Sequence, residues 1–229
     1  MARARRVDLP GLIYHVINRG NNRREVFYDE NDYEHYLCLL HRYKQKFAFK
    51  LFAYCLMPNH VHLLLQRTEK GSLGQIMQAV TNAHTSRFQF RYQTSGHVWQ
   101  GRYKNPIVSD DSYLLTVMRY VEQNPIRAGL VSDMKTYKWS SYQINISLTA
   151  SGLVDRNDNP MFECLGNNKA QRIEEYKRLI GVSLGKSKLE AIRKSSENGL
   201  GFMSEEYQQK ITLLMKKPKR GRPVKKING

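Results

Sequence analysis

The sequence predicts an α+β fold, a ferredoxin-like split βαβ sandwich whose antiparallel sheet carries helices on one face, followed by a C-terminal helical and basic extension. Three observations lead there. The periodicities run β-α-β-β-α-β-α. Two of the strands are separated only by Pro58-Asn59, a hairpin turn. The apolar share, 41% of 229 residues with 10% aromatic, is enough for a core of that size and excludes wholesale disorder. Such a sandwich leaves the second sheet face free for a ligand.

Leu12 to Ile17 is apolar and β-branched, and Asn18-Arg19-Gly20-Asn21-Asn22 behind it is turn chemistry, so a strand is followed by a loop. Tyr33, Tyr36, Leu37, Leu40 and Phe47 then recur at helical spacing behind Asp29, Glu30 and Asp32, acids that suit a helix N-terminus. Phe49 to Met57 reads as the second strand and His60 to Gln66 as the third. Beyond Gly71-Ser72, the residues Leu73, Ile76, Met77, Val80 and Phe88 mark a second helix, and Gly96 ends that region. Lys104 to Ser109 supplies a fourth strand, and Asp110 or Asp111 caps a third helix carrying Leu114, Val117, Met118 and Val121.

The first domain therefore spans residues 1–145. Residues 146–166 turn polar and rich in Ser, Asn, Asp and Gly, the composition of a linker. Residues 167–215 form an accessory helical segment with two short patterns, one on Ile173, Tyr176 and Ile180 and one opening at Ser204. Residues 216–229 are a basic tail.

The net charge of +17 points to a polyanionic partner, either nucleic acid or an acidic membrane surface. No apolar run approaches the roughly 20 residues of a membrane span, and the basic N-terminus lacks a signal-peptide stretch, so a cytoplasmic protein with no membrane partner is expected. The tail holds seven basic residues and no acid, which leaves +10 on the rest. The polyanion must therefore also meet the folded part. Cys38, Cys55 and Cys164 are far apart with no C-x-x-C pair, so reduced, partly buried thiols are expected.

His60-Val61-His62 falls in a strand, where alternation sends both imidazoles to one face and Val61, Leu63 and Leu65 to the other. Two nitrogens side by side on a rigid strand can hold a divalent metal; surface or core histidines are the plainer alternative. Tyr120 and Asn124 lie four apart on the third helix and share one side of it, beside the apolar stripe. A core tyrosine and a helix-ending Asn-Pro would look the same. Pro125 disfavours helical geometry at Asn124, so the shared side requires a kink rather than a stop.

Several segments together carry a resemblance: Met57-Pro58-Asn59-His60-Val61-His62-Leu63-Leu64, Trp99-Gln100-Gly101-Arg102-Tyr103-Lys104, the run from Tyr120-Val121-Glu122-Gln123-Asn124-Pro125 to Val131, and Trp139-Ser140-Ser141-Tyr142. Over about residues 8 to 145 the chain resembles the IS200-like single-tyrosine HUH transposases, nearest the REP-associated tyrosine transposases. The resemblance implies that His60 and His62 are the paired histidines and Tyr120 the nucleophile. It also implies that Asn124 is the third protein ligand to the metal, in place of the glutamine of some IS200-type enzymes. A free tyrosine hydroxyl ionises only near pH ~10 and needs activation by its surroundings. The implied cofactor is Mg²⁺ or Mn²⁺, which would polarise the scissile phosphate. The implied reaction gives a 5′-phosphotyrosine and a free 3′-OH, on single-stranded DNA beside a hairpin. Monomer and homodimer both stay open.

Arg19, Arg23 and Arg24 crowd a Gly- and Asn-rich turn whose amides can also meet phosphate. Trp99, Arg102, Tyr103 and Lys104 interleave aromatic and basic groups, which suits stacked bases and a gripped backbone; Trp99 and Tyr103 as core anchors is the equal alternative. His84 falls on the apolar face of the second helix and His15 in the first strand with Ile13 and Ile17, both positions of buried, noncatalytic histidines. In the tail, Lys219-Arg220-Gly221-Arg222-Pro223 is AT-hook-like, with Arg220 and Arg222 suited to a narrow minor groove of duplex DNA. The rival to a transposase is a noncatalytic protein binding repeat hairpins or RNA, but the RNP1 aromatic pattern of an RRM is missing. A hydrolase of small phosphoesters would leave the basic body unexplained.

Overall fold

A computed structural model describes residues 7–108 and 111–198, together with 209, 211 and 213. The elements β1 (Ile13–Arg19), α1 (Glu30–Phe47), β2 (Lys50–Met57), β3 (His60–Gln66), α2 (Leu73–Tyr92), β4 (Ile107–Val108) and α3 (Asp111–Glu122) follow the expected order. The sheet runs β2-β3-β1-β4 with every pair antiparallel, the strand order of a split βαβ sandwich.

Local chemistry fixes the helix ends. The Asp29 side chain accepts from the Asp32 amide at 3.2 Å and starts α1, and Ala48 ends it in the left-handed region. Ser72 and Gln75 form a reciprocal capping box at the start of α2. Asp110, one of the two expected caps of α3, lies outside the described residues.

Two strands differ from the expectation. β1 runs on through Asn18 and Arg19, which read as turn, because Val61 and His60 of β3 face them in the ladder. The fourth strand shrinks to Ile107–Val108: Pro106 has no N–H to give, although its carbonyl still accepts from the His15 amide at 2.9 Å. Lys104 regains the ladder, exchanging both backbone hydrogen bonds with Ile17 at 2.8 and 2.9 Å.

Strand alternation gives the sheet two faces. Tyr14, Val16, Leu51, Tyr54, Leu56, Val61, Leu63 and Leu65 pack under α1 and α2 with Tyr36, Leu40, Ile76, Val80 and Phe88. The other face is not left free along its whole width. Ala53, Cys55, Met57 and Leu64 meet Leu114, Val117, Met118 and Val121 of α3. The apolar stripe of α3 has to be buried, and the β2 side of this face is where it lies.

The expected linker at 146–166 is packed structure. After α4 (Asn124–Arg127) and α5 (Tyr142–Asn145), the chain makes a 3₁₀ turn at Arg156–Asp158 and then α6 (Pro160–Glu163). Two of its polar residues, Arg156 and Asn159, are buried, and others are tied into the fold by hydrogen bonds. The Arg156 Nη1 donates to the carbonyls of Ile144, Asn145 and Ser147, and Asp155 accepts from the Leu51 amide at 2.8 Å. Ile173, Tyr176 and Ile180 of α7 (Lys169–Gly181) join the α3 core, and α8 (Lys186–Asn198) follows. The pattern opening at Ser204 and the tail 216–229 lie outside the described residues. The three cysteines are unpaired, but only Cys55 is buried; Cys38 and Cys164 are exposed. Among the described residues no helix is long and apolar enough to cross a membrane.

One buried carboxyl ties these pieces together. Glu122, at the end of α3, is fully buried and accepts from Ser141 Oγ at 2.6 Å, Asn145 Nδ2 at 2.8 Å and Tyr176 Oη at 2.7 Å. Ser141 in turn accepts from the Tyr54 amide at 3.0 Å on β2. Burial outweighs these three donors and pushes the carboxyl up to about 7. A proton is therefore held more tightly in the folded chain, so this contribution is full at acid pH and is lost as pH rises toward 7. Wild type should gain on the order of 3 kcal/mol relative to Glu122→Gln between pH 8 and pH 5. Chemical denaturation of both proteins at the two pH values checks it, and a pH-independent difference counts against a raised carboxyl.

Candidate active site

His60 and His62 stand two apart on β3 and share the α3-side face, their rings 4.9 Å apart between centroids and edge to face. Tyr120, on the last turns of α3, brings its ring to 5.8 Å from that of His62. A third imidazole completes the cluster. His15 of β1 stacks on His62 at 5.1 Å, puts Nε2 2.9 Å from His62 Nδ1, and lies 5.8 Å from Tyr120. The β1–β3 register pairs His15 with Leu64 and Ile17 with His62, so His15 is the diagonal neighbour of His62 on one face.

The imidazoles are held neutral. Burial pushes His60 down to about 4, helped by the Arg19 charge opposite it, and His15 to about 3. His62 is driven well below the usual histidine range by burial, then by His60, His15, Arg127 and Arg19. At neutral pH their nitrogen lone pairs are therefore available to a metal.

The kink required at Asn124 is present. α3 ends at Glu122, the chain passes through Gln123, and α4 restarts at Asn124 with the hydrogen bonds Gln123 N–H to Arg119 and Arg127 N–H to Gln123 keeping the helical path. Pro125 cannot donate to the Val121 carbonyl, and the Asn124 side chain does so instead: Nδ2 donates to the carbonyls of Tyr120 at 3.0 Å and Val121 at 3.2 Å. Both bonds use Nδ2, so Oδ1 is the atom Asn124 can offer a cation.

Sequence reasoning missed Arg127. Its guanidinium lies 4.3 Å from the centroid of the Tyr120 ring, and Nη2 donates to the Tyr120 carbonyl. Its Nη1 is buried with no partner in the protein. Position i+7 from Tyr120, two helical turns on, was the available signal. His15 was expected to be buried and noncatalytic; it is buried, but against His62 and Tyr120, a placement only the strand register reveals.

Among the described residues no three His, Cys, Asp or Glu side chains gather as a metal cage. Two neutral imidazoles on one strand are donors that would leave a cation its charge and open positions. That fits a catalytic metal site better than a closed structural one.

The predicted DNA-binding residues divide. Arg19 is exposed and pairs across the ladder with His60, and Lys104 is exposed and pairs with Ile17, so both flank the histidines on the same face. Arg23 and Arg102 are exposed at the rim; Arg24 is half-buried and donates to the His97 carbonyl at 3.0 Å. Trp99 is a correction. Its bridge to Gly20 turns it to the α1/α2 side, where it packs against His84 and Tyr36 at 5.5 and 6.2 Å. A ring buried there offers no face to a base. His84 is the expected core histidine, its Nε2 2.9 Å from the Val26 carbonyl. Arg220 and Arg222 lie outside the described residues.

Fold and site together define a split-βαβ protein that sets paired strand histidines against a helix-borne tyrosine. The family model described as IS200-like transposase matches residues 9–124, and the chain belongs to that family. A REP-associated tyrosine transposase of Haemophilus influenzae is 30% identical over 118 residues, 45% of this chain; the match spans 66% of that relative's length. The solved structure of a REP-associated tyrosine transposase bound to a REP hairpin superposes with a TM-score of 0.54 at 16% identity. It covers 68% of this chain and 94% of its own, a likeness of fold.

If Trp99 is a core anchor, Trp99→Ala should lower unfolding stability by about 3–5 kcal/mol, the range for emptying a buried aromatic site. Arg102→Ala should leave it unchanged. Equal denaturation midpoints for Trp99→Ala and wild type would return Trp99 to the DNA surface.

Proposed function

We propose that this chain is a metal-dependent single-stranded DNA endonuclease and strand transferase that cuts beside a hairpin through a 5′-phosphotyrosine intermediate. The observation that carries this reading is the meeting of His60, His62 and Tyr120 on one sheet face flanked by Arg19, Lys104 and Arg127. The REP hairpin of the structurally similar transposase supports a hairpin partner here.

His60, His62 and Asn124 would hold a divalent cation, Mg²⁺ or Mn²⁺, whose chemistry when bound would be Lewis-acid polarisation of the scissile phosphate. The chain does the rest. The Tyr120 hydroxyl oxygen bonds to phosphorus, the phosphorus–O3′ bond breaks, and the 3′ oxygen leaves as a hydroxyl. Arg127 holds the ring from its face and brings an uncommitted N–H beside it, suited to a phosphate oxygen. Arg19 and Lys104 draw the strand across β1. The phosphotyrosine keeps the bond energy, so a 3′-OH can reseal the strand by the reverse step. A stiff duplex would not bend easily onto a sheet face already bounded by α3, which favours single strands. Duplex binding through the tail is a separate proposal, resting on the Gly-Arg-Pro sequence alone.

Wild type with Mn²⁺ and a hairpin-flanked single strand should form a covalent protein–DNA adduct that survives denaturing gels. Tyr120→Phe should abolish it, and His60→Ala with His62→Ala should abolish cleavage while leaving DNA binding largely intact. An adduct surviving in Tyr120→Phe rejects the nucleophile, and a wild type that binds the strand yet never forms an adduct leaves a noncatalytic binder.

Arg19→Ala and Lys104→Ala test the strand path separately. Each should lower the slope of log affinity against log salt for single-stranded DNA by about 0.7, one phosphate contact. Fluorescence anisotropy across a salt series reads it, and unchanged slopes move the strand elsewhere.

A further inference from the structure

We propose that His15 and Asn59 are the positioning residues of the two metal-binding imidazoles, each accepting an Nδ1–H so that Nε2 is left free for the cation. The inference rests on the metal reading above and adds two residues to it.

The His60 side is fixed by hydrogen-bond chemistry. Asn59 Nδ2 donates to the Arg23 carbonyl at 3.0 Å, which turns Oδ1 toward His60 Nδ1 at 2.6 Å. An amide oxygen only accepts, so Nδ1 of His60 must carry the proton and Nε2 the lone pair. The turn that holds Asn59 is itself pinned to the arginine loop. The Asn59 carbonyl accepts from the Gly20 amide at 2.8 Å, and that of Pro58 from Val26 at 2.8 Å. Arg23 takes a left-handed backbone, φ 60°, where its carbonyl meets Asn59.

The His62 side has the same geometry with a different acceptor. Its Nδ1 lies 2.9 Å from His15 Nε2, and both rings are buried. One of the two nitrogens donates. If His15 donated, His62 would be protonated on Nε2 and could not ligate through that atom. Ligation by His62 Nε2 therefore needs His15 as acceptor. Stacking at 5.1 Å fixes the plane of the His62 ring, and the edge contact of His15 with Tyr120 sets the same residue against the nucleophile. Metal-ligating histidines commonly donate their other nitrogen to such a partner, and its loss weakens metal binding about 10–100-fold.

The test is Mn²⁺ binding to the full-length protein without DNA, followed by electron paramagnetic resonance of free Mn²⁺. His15→Phe keeps a ring but removes the acceptor, and should raise the dissociation constant about 10–100-fold. His15→Gln, with an amide oxygen, should recover most of the affinity. Asn59→Ala should weaken binding and Asn59→Asp restore it. Long-range ¹H–¹⁵N spectra of the Mg²⁺-loaded protein should show the Nδ1–H form at both His60 and His62. Circular dichroism identifies any variant that fails to fold, and the spectra of wild type decide the tautomers regardless. An Nε2–H signal at His62, or wild-type Mn²⁺ affinity in folded His15→Phe, overturns the proposal. Mn²⁺ binding that survives His60→Ala with His62→Ala instead removes the metal reading itself, and this inference with it.

Discussion

The antiparallel register of β1 on β3 is the constraint on which everything else rests. It pairs Ile17 with His62 and Arg19 with His60, and puts Tyr14, Val16, Val61, Leu63 and Leu65 together on the opposite face. A one-residue slip of β1 would turn His15 into the α1/α2 core and Tyr14 and Val16 out to the site. Such a state would bury a polar ring among apolar ones, so packing energy and site geometry select the same register. The Pro58-Asn59 turn secures β2 to β3, and the carbonyls of that turn also catch the loop after β1. Three strands are thereby locked at the end of the sheet where the histidines lie.

Tyr120, the proposed nucleophile, depends on a second fixture, the placement of α3. Its apolar stripe has only half of the sheet face to cover, and Glu122 decides how it sits there. One carboxyl reaches Ser141, Asn145 and Tyr176, and through Ser141 the β2 backbone, so α3, α7 and the sheet edge close around a single buried group. Removing its partners would leave a buried carboxyl uncompensated, which costs far more than the net value of any one bond. Within five residues of this anchor, Pro125 frees a carbonyl, Asn124 satisfies it, and Arg127 folds back onto the Tyr120 ring. The kink is thus what brings three side chains of one short segment to the same place.

Much of this was legible in the sequence. The element order, the hairpin and the common face of His60 and His62 follow from periods of 3.6 and 2.0 and from turn residues, all of which are local. Tyr120 and Asn124 on one side of a helix were also local, given the kink. What could not be read was pairing. His15 looks like any apolar-strand histidine until β1 is set beside β3, and Arg19 looks like turn until the same ladder extends through it. Trp99 in an aromatic and basic run suits a base or a core equally; only its bridge to Gly20 chooses. The polar composition of 146–166 suggests a linker, but Arg156 and Asn159 within it are spent on hydrogen bonds of buried side chains.

Three of the chain's cations gather at this site. Around the imidazoles stand Arg19, Lys104 and Arg127, and the acid nearest in sequence to the nucleophile, Glu122, is turned away into its own network. With neutral donors and cationic neighbours, the proposed metal would keep its full field here, and an anionic phosphate would balance it. Burial is the main reason that His60 and His62 resist protonation, and the charges of Arg19, for both, and Arg127, for His62, add to it. The strand register that sets Arg19 across from His60 thus places a cation beside imidazoles that burial already keeps neutral.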